Sequence, residues 1–143
     1  MAQASVEKHP HCFGCGDQNP IGLGLALQLE DGRLTAEFVP GDGHQGWPGM
    51  VHGGIITAML YEVLENLAYH QGVLTMMKSM ETRFRRPAST GRKIVATSWL
   101  AKQTGRNMSV SASLADEEGT VIAEGTATLV VLSQAQKERL GLA

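Results

Sequence analysis

The sequence predicts an α+β domain in which an antiparallel sheet wraps one long helix, and three observations carry that expectation. From Gly53 to about Gln71, the residues Ile56, Met59, Leu60, Val63, Leu64 and Leu67 recur at helical spacing, with Gly72 placed as a stop. From Thr75 to Leu132 the chain reads as consecutive strands divided at Pro87, Gly105 and Gly119. Their alternation is clearest where Met108, Val110, Ala112 and Leu114 interleave with Asn107, Ser109, Ser111 and Ser113, the pattern of a sheet with one buried face. A chain of 143 residues then has room for one domain, taken as residues 1–143, large enough to bury a core without disulfide or metal support.

The elements follow in order. Residues 1–22 form a segment rich in Cys, Gly and Pro, ending at Asn19-Pro20-Ile21-Gly22. Leu23 to Leu29 alternates with period two, Glu30-Asp31-Gly32-Arg33 supplies turn residues, and Leu34 to Val39 continues as a second strand, so a hairpin is expected. Pro40 to Gly49 holds too many Gly and Pro residues for regular structure and reads as a long loop of the kind that often carries function. The helix comes next, about 28 Å long at 1.5 Å per residue. Ile55, Ala58 and Ala68 widen its apolar surface beyond one stripe, which implies cover on most sides. Four strands follow: Thr75 to Arg86, Lys93 to Thr104, Arg106 to Asp116 and Thr120 to Leu132. The tail, 133–143, reads as a frayed helical turn.

Composition narrows the function. Twelve Lys and Arg against fourteen Asp and Glu leave a net charge of −2, without the basic footprint that duplex binding requires, so nucleic acid is not an expected partner. No apolar run is long enough to span a membrane, and the opening residues lack the apolar stretch of a secretory signal. A soluble, cytoplasmic protein is expected. Cys12 and Cys15 stand in a C-x-x-C spacing after His9 and His11. A redox motif should lie in a βαβ unit, which this segment does not offer, and a zinc site built from four such crowded residues would need one ligand replaced from elsewhere. The pair is therefore read as structural free thiols, with no metal and no redox cofactor expected.

The chemistry concentrates at the start of the helix. In Pro48-Gly49-Met50-Val51-His52-Gly53-Gly54 the glycines leave backbone N–H groups uncovered at the positive end of a helix dipole, where they can stabilise a carbonyl oxygen that becomes negative. Gly54, Ala58, Tyr61 and Glu65 share one stripe opposite the Leu/Met/Val face, with Glu62 beside it. Carboxylates in a largely covered helix are costly unless paired, hydrated or used, so Glu62 and Glu65 are both candidates for a base or nucleophile, or for ion pairs at a subunit boundary.

Taken together, Cys12-Phe13-Gly14-Cys15-Gly16, Asn19-Pro20-Ile21-Gly22-Leu23, His44 to Gly49, His52-Gly53-Gly54-Ile55-Ile56 and Arg83-Phe84-Arg85-Arg86-Pro87 resemble the hotdog-fold acyl-CoA thioesterase superfamily, its phenylacetate-pathway (PaaI-like) branch above all. The resemblance spans roughly residues 12–132. It implies a hotdog homodimer or homotetramer with active sites at the dimer interface, an acyl-CoA thioester as substrate, and coenzyme A only as part of that substrate. It also implies that Gly53 or Gly54 donates to the oxyanion, with His52 orienting the turn. The family acid falls where this chain has Tyr61; Tyr61-Glu62 keeps the second acid of the related Asp-Glu pair, and Glu65 lies one turn beyond on the same stripe. Glu62 and Glu65 both remain candidates for the base.

Further candidates are Gln45, which could position water, and Arg83, Arg85, Arg86, Lys93 and Arg106, whose charges suit the phosphates of CoA. Strand alternation forbids all of these from facing one ligand. Met76, Met77 and Met80 could line an acyl pocket or simply fill core. Two other functions compete with hydrolysis: a dehydratase or hydratase on acyl thioesters using His44 and a helix glutamate, and a noncatalytic acyl-CoA or small-ligand binding protein, for which Tyr61 is the motive.

Overall fold

The computed structural model describes residues 7–142, so the stretch Met1 to Val6, where no secretory signal is expected, lies outside the described residues, as does Ala143. The elements are β1 (Gln28–Glu30), β2 (Arg33–Phe38), a short 3-10 turn (Asp42–His44), α1 (Gly53–His70), β3 (Thr75–Phe84), β4 (Ile94–Thr104), β5 (Asn107–Asp116), β6 (Val121–Val131) and α2 (Gln134–Leu140). All six strands join one antiparallel sheet in the order β1-β2-β4-β5-β6-β3. Among the described residues, no helix is long and apolar enough to cross a membrane.

α1 packs against β2 to β6 on one face of the sheet, and its spacing explains why. Ile56, Met59, Leu60, Val63, Leu64 and Leu67 are all buried, joined on the sheet side by Leu34, Ala36, Ile94, Ala96, Val110, Leu114 and Leu129. Burial of such side chains, worth about 1.5–3 kcal/mol each, holds the helix in place. Two details fix how closely it approaches. The Ser98 hydroxyl of β4 donates 2.6 Å to the Val63 carbonyl in mid-helix. Gly125 of β6 faces Leu60 and Leu64, where an added Cβ would come within 3.2 Å of a leucine methyl.

Three sequence expectations need correction. The first strand is only Gln28–Glu30, because the backbone N–H groups of Leu23 and Leu25 donate to the Phe13 and Gly14 carbonyls instead of to a strand. Leu23 and Leu25 are still buried, so alternation located the apolar face but not the backbone partner. The tail is a formed helix rather than a frayed turn: Ser133 and Gln136 make a reciprocal capping box, and Gly141 closes α2 in the left-handed region. Within the long loop, Asp42–His44 forms a turn and Gln45 bridges to Val51. The β1–β2 turn uses Asp31 and Gly32, both at positive φ, as a tight hairpin demands.

The N-terminal segment covers a second flank of α1. Lys8 reaches Asn66, and Gly14 sits directly on the Glu62 side chain. With the sheet on one side and this segment on another, the stripe Gly54, Ala58, Tyr61 and Glu65 is the least covered part of the helix, Tyr61 being 42 % exposed.

Candidate active site

The start of α1 is built by its own cap. His52 is the N-cap residue, and its Nδ1 accepts the Gly54 N–H at 2.8 Å. The His52 carbonyl accepts from Ile55 and Ile56. This sorts the two glycines that the sequence left equivalent. The Gly54 N–H is taken up by the imidazole, whereas the Gly53 N–H has no hydrogen-bond partner among the described residues. Gly53 also lines a cavity of about 520 Å³ with Trp47, Met50, His52 and Pro87. A free donor at a helix N-terminus, on a residue that lines open space, is what a developing oxyanion requires. An added Cβ on Gly54 would stand 2.9 Å from His52 Nδ1, so glycine there lets the cap close.

The two glutamates occupy different settings. Glu62 is buried, and its Oε2 accepts from Asn66 Nδ2 at 2.9 Å. Burial raises its carboxyl above the ordinary value, while Lys8, the nearby Cys15 thiol and the hydrogen bond from Asn66 pull the other way. Glu65 is half-buried, and its Oε2 is the one buried side-chain oxygen or nitrogen without a hydrogen-bond partner among the described residues. Burial lifts its pKa to about 7 against the pull of Lys8, and Glu62 adds to the rise. Tyr61, one turn before Glu65 on the open stripe, is raised by burial first and then by Glu65 and Glu62.

The other predicted site residues divide. Gln45 has both ends of its amide engaged inside the loop, Oε1 accepting from Gly49 and Nε2 donating to the Asp42 carbonyl. His44 is similarly occupied, its Nδ1 accepting from the Gly41 N–H and its ring packing edge-on to Phe38. Phe84, at the end of β3, brings its ring to the Gly53 side of the helix start. Alternation therefore turns Arg83 to the opposite sheet face, where it pairs with Glu81 at 2.8 Å; Arg85 pairs with Glu124 at 3.0 Å. Arg86 donates to the Val121 carbonyl and Lys93 lies 3.8 Å from Glu37. Arg106 is elsewhere, tying the Val131 carbonyl and Gln136 together at the far end of β6. That end is about 25 Å along the strand from Ala123, which pairs with Phe84, so Arg106 and Arg85 do not meet one phosphate within a chain. Met77 and Met80 pack against the core, while Met76 is half-exposed beside α2.

Sequence reasoning missed Asn66 and Lys8. Asn66 is buried and uses both ends of its amide, donating to Glu62 and accepting from Lys8, whose ammonium also lies 4.8 Å from the Tyr69 ring centroid. An amide four residues after a glutamate was the available signal. The same flank holds the cysteines. Cys12 and Cys15 sulfurs are 3.3 Å apart and share a neighbourhood with the Glu62 carboxylate. Burial would raise the Cys12 thiol, but hydrogen bonds from the Cys15 N–H, the Cys15 thiol and the Gly14 N–H outweigh it and lower the pKa. Cys15, which donates, is pushed up to about 12 by burial and by that donation.

Comparison with known proteins agrees with this architecture. Residues 43–130 match the family described as the acyl-CoA thioesterase N-terminal domain. The acyl-coenzyme A thioesterase THEM4 of Rattus norvegicus is 29 % identical over 116 residues, covering 78 % of this chain and 50 % of that protein, so the chain spans about half the length of that relative. A crystal structure of a thioesterase superfamily protein superposes with a TM-score of 0.76 at 26 % identity, over 80 % of this chain and 60 % of the other. A phenylacetic acid degradation-related protein from Ralstonia eutropha JMP134 gives a TM-score of 0.68 at 27 % identity, over 76 % of this chain and 86 % of that one. The helix wrapped by a six-stranded antiparallel sheet is thus a hotdog fold, of PaaI-like kind.

Proposed function

This chain belongs to the acyl-CoA thioesterase N-terminal domain family, and from that premise we propose that it hydrolyses acyl-CoA thioesters with Glu65 as general base and the Gly53 N–H as oxyanion donor. The observation that carries the assignment is the buried, unpartnered Oε2 of Glu65 on the open stripe of α1. Glu62 is the weaker candidate, because its carboxylate is already committed to Asn66 and the N-terminal segment. In the reaction, the Glu65 carboxylate takes a proton from water as the oxygen attacks the thioester carbonyl carbon. The carbonyl oxygen gains negative charge and accepts from Gly53 at the positive end of the helix. The C–S bond then breaks, the acyl group leaves as a carboxylic acid, and the CoA thiolate recovers a proton from the Glu65 carboxyl.

Within one chain Gly53 and Glu65 stand twelve positions apart, about 18 Å along the helix, too far to act on one carbonyl. The reading therefore includes a second copy, paired across the open edge of β3 so that Glu65 of one protomer faces Gly53 of the other, as a homodimer or a pair of such dimers. Arg85 and Arg86, just beyond Phe84, are the candidates of this chain for the CoA phosphates. The cytoplasm, where thiols stay reduced, suits the free Cys12 and Cys15.

The test is release of free thiol from a panel of aromatic and aliphatic acyl-CoA thioesters. Turnover should fall roughly 10²–10⁴-fold in Glu65→Gln, the usual loss on removing a general base. Tyr61 at the acid position favours one rival, a binding protein: saturable binding with no thiol released from any substrate would establish that reading instead.

A further inference from the structure

We propose that Cys12, Cys15 and Glu62 form a binding site for a divalent transition metal, zinc being the best match, which fastens the N-terminal segment to α1. The two sulfurs and a carboxylate oxygen lie within 4.8 Å of one another, close enough for a single ion to touch all three. Ligands from residues 12 and 15 alone would be a local turn. Glu62, fifty positions from Cys12, is the ligand from elsewhere in the chain that the crowded Cys/His segment lacks.

Three features prepare these groups for a cation. First, the turn is closed as a ligand knuckle: Gly16 N–H donates to the Cys12 carbonyl at 2.9 Å, and the Cys12 and Cys15 sulfurs stand 3.3 Å apart, so both can meet one ion. Second, Gly14 has no room for a side chain, since a Cβ there would fall 2.2 Å from Glu62 Oε1; the loop between the cysteines is pressed onto that oxygen. Third, Asn66 orients the carboxylate from behind. Its Nδ2 holds Oε2, leaving Oε1 on the cysteine side, and its Oδ1 holds the Lys8 ammonium. Fixing of a ligating carboxylate by an outer hydrogen bond is what tunes metal sites generally.

Softness of the donor set selects the ion. Two thiolates and one carboxylate suit zinc over magnesium or calcium, which take oxygen ligands, and three protein ligands leave a fourth position to water or to the neighbouring His9 or His11. Binding would displace the thiol protons to solvent, so uptake acidifies an unbuffered solution by up to two protons per ion. Glu62 engaged in this way is also unavailable as the base, which leaves that role to Glu65; the metal site itself does not depend on the hydrolase reading.

The experiment is cobalt(II) titration of the chelator-treated, reduced full chain, read by absorption. One equivalent per chain should bind with thiolate-to-cobalt charge-transfer bands and the intense ligand-field bands of a four-coordinate site, and zinc should bleach both. Cys12→Ser and Cys15→Ser should each weaken binding and remove about half of the charge-transfer intensity at saturation, and the double variant should remove all of it. Glu62→Gln, which keeps the hydrogen-bonding shape, should weaken binding at least tenfold while leaving that intensity when saturated. Because burial makes Glu62→Gln a folding risk, circular dichroism accompanies it, and Asn66→Ala, which removes the hydrogen bond that fixes the carboxylate, provides a second probe that should weaken cobalt binding and leave the charge-transfer bands in place at saturation. No cobalt band in the reduced wild-type chain, or an affinity unchanged in a folded Glu62→Gln, would overturn the site. So would a Cys12–Cys15 disulfide formed under conditions where zinc is present in excess.

Discussion

At Glu65, burial holds the carboxyl protonated up to about pH 7, with Lys8 pulling the other way and Glu62 adding to the rise; Tyr61, on the same stripe, is the remaining titratable neighbour. A base must be deprotonated, so kcat/KM should climb with pH through about 7 and level above it. The same shift has a stability signature of definite sign. The unfolded carboxyl titrates near 4.5, so between about 4.5 and 7 the folded chain binds more protons than the unfolded one. Stability therefore falls as pH rises across that window. Urea midpoints measured on the wild type and on Glu65→Gln at several pH values check this: the difference between the two should shrink the wild-type advantage as pH rises and then stay constant above about pH 7. A difference independent of pH would remove Glu65 as the raised carboxyl.

For α1 as an element, the cap decides how His52 is understood. Its Nδ1 closes the first turn on the Gly54 N–H, so His52→Ala should cost about 0.5–2 kcal/mol, the usual worth of an N-cap. His52→Asn restores a good cap and should recover most of that in urea unfolding. If activity recovers with it, the imidazole is a positioning group; if stability returns and thiol release does not, the ring has a second role. The helix was open to sequence reading because its period is a property of neighbours: Ile56 to Leu67 fix the buried face, and Gly54, Ala58, Tyr61 and Glu65 then fall on the open stripe without further information. Leu23 to Leu29 shows where local reading stops. Alternation marked Leu23 and Leu25 as buried, yet their amides bond to Phe13 and Gly14, and no pattern within seven residues names such partners. The Cys12, Cys15, Glu62 and Asn66 cluster was hidden for the same reason, since it joins segments about fifty residues apart. The Gly53 and Gly54 amides stayed equivalent until the His52 ring was seen to occupy one of them.

On the scale of the whole molecule, two facts motivate the proposed second copy. Among the described residues β3, ten residues long, pairs only with β6 and has no strand on its other edge, and the helix start and Glu65 are separated by most of the helix. If two copies share each site, an intact site needs Gly53 from one protomer and Glu65 from its partner. That arrangement makes a complementation test decisive. Gly53→Pro deletes the proposed donor at low cost, because proline suits the first helical position and His52, at φ −59 and ψ 134, already has the conformation favoured before proline. Its ring must displace Phe84 slightly, since a Cβ at this position lies 3.4 Å from that side chain. Gly53→Pro and Glu65→Gln should each be nearly inactive alone. Unfolded together and refolded at equal amounts, they should yield half heterodimers with one intact site in two, and hence about a quarter of wild-type thiol release. A mixture no more active than its components, with mixed dimers demonstrated by mass, would place both groups in one chain and remove the shared site.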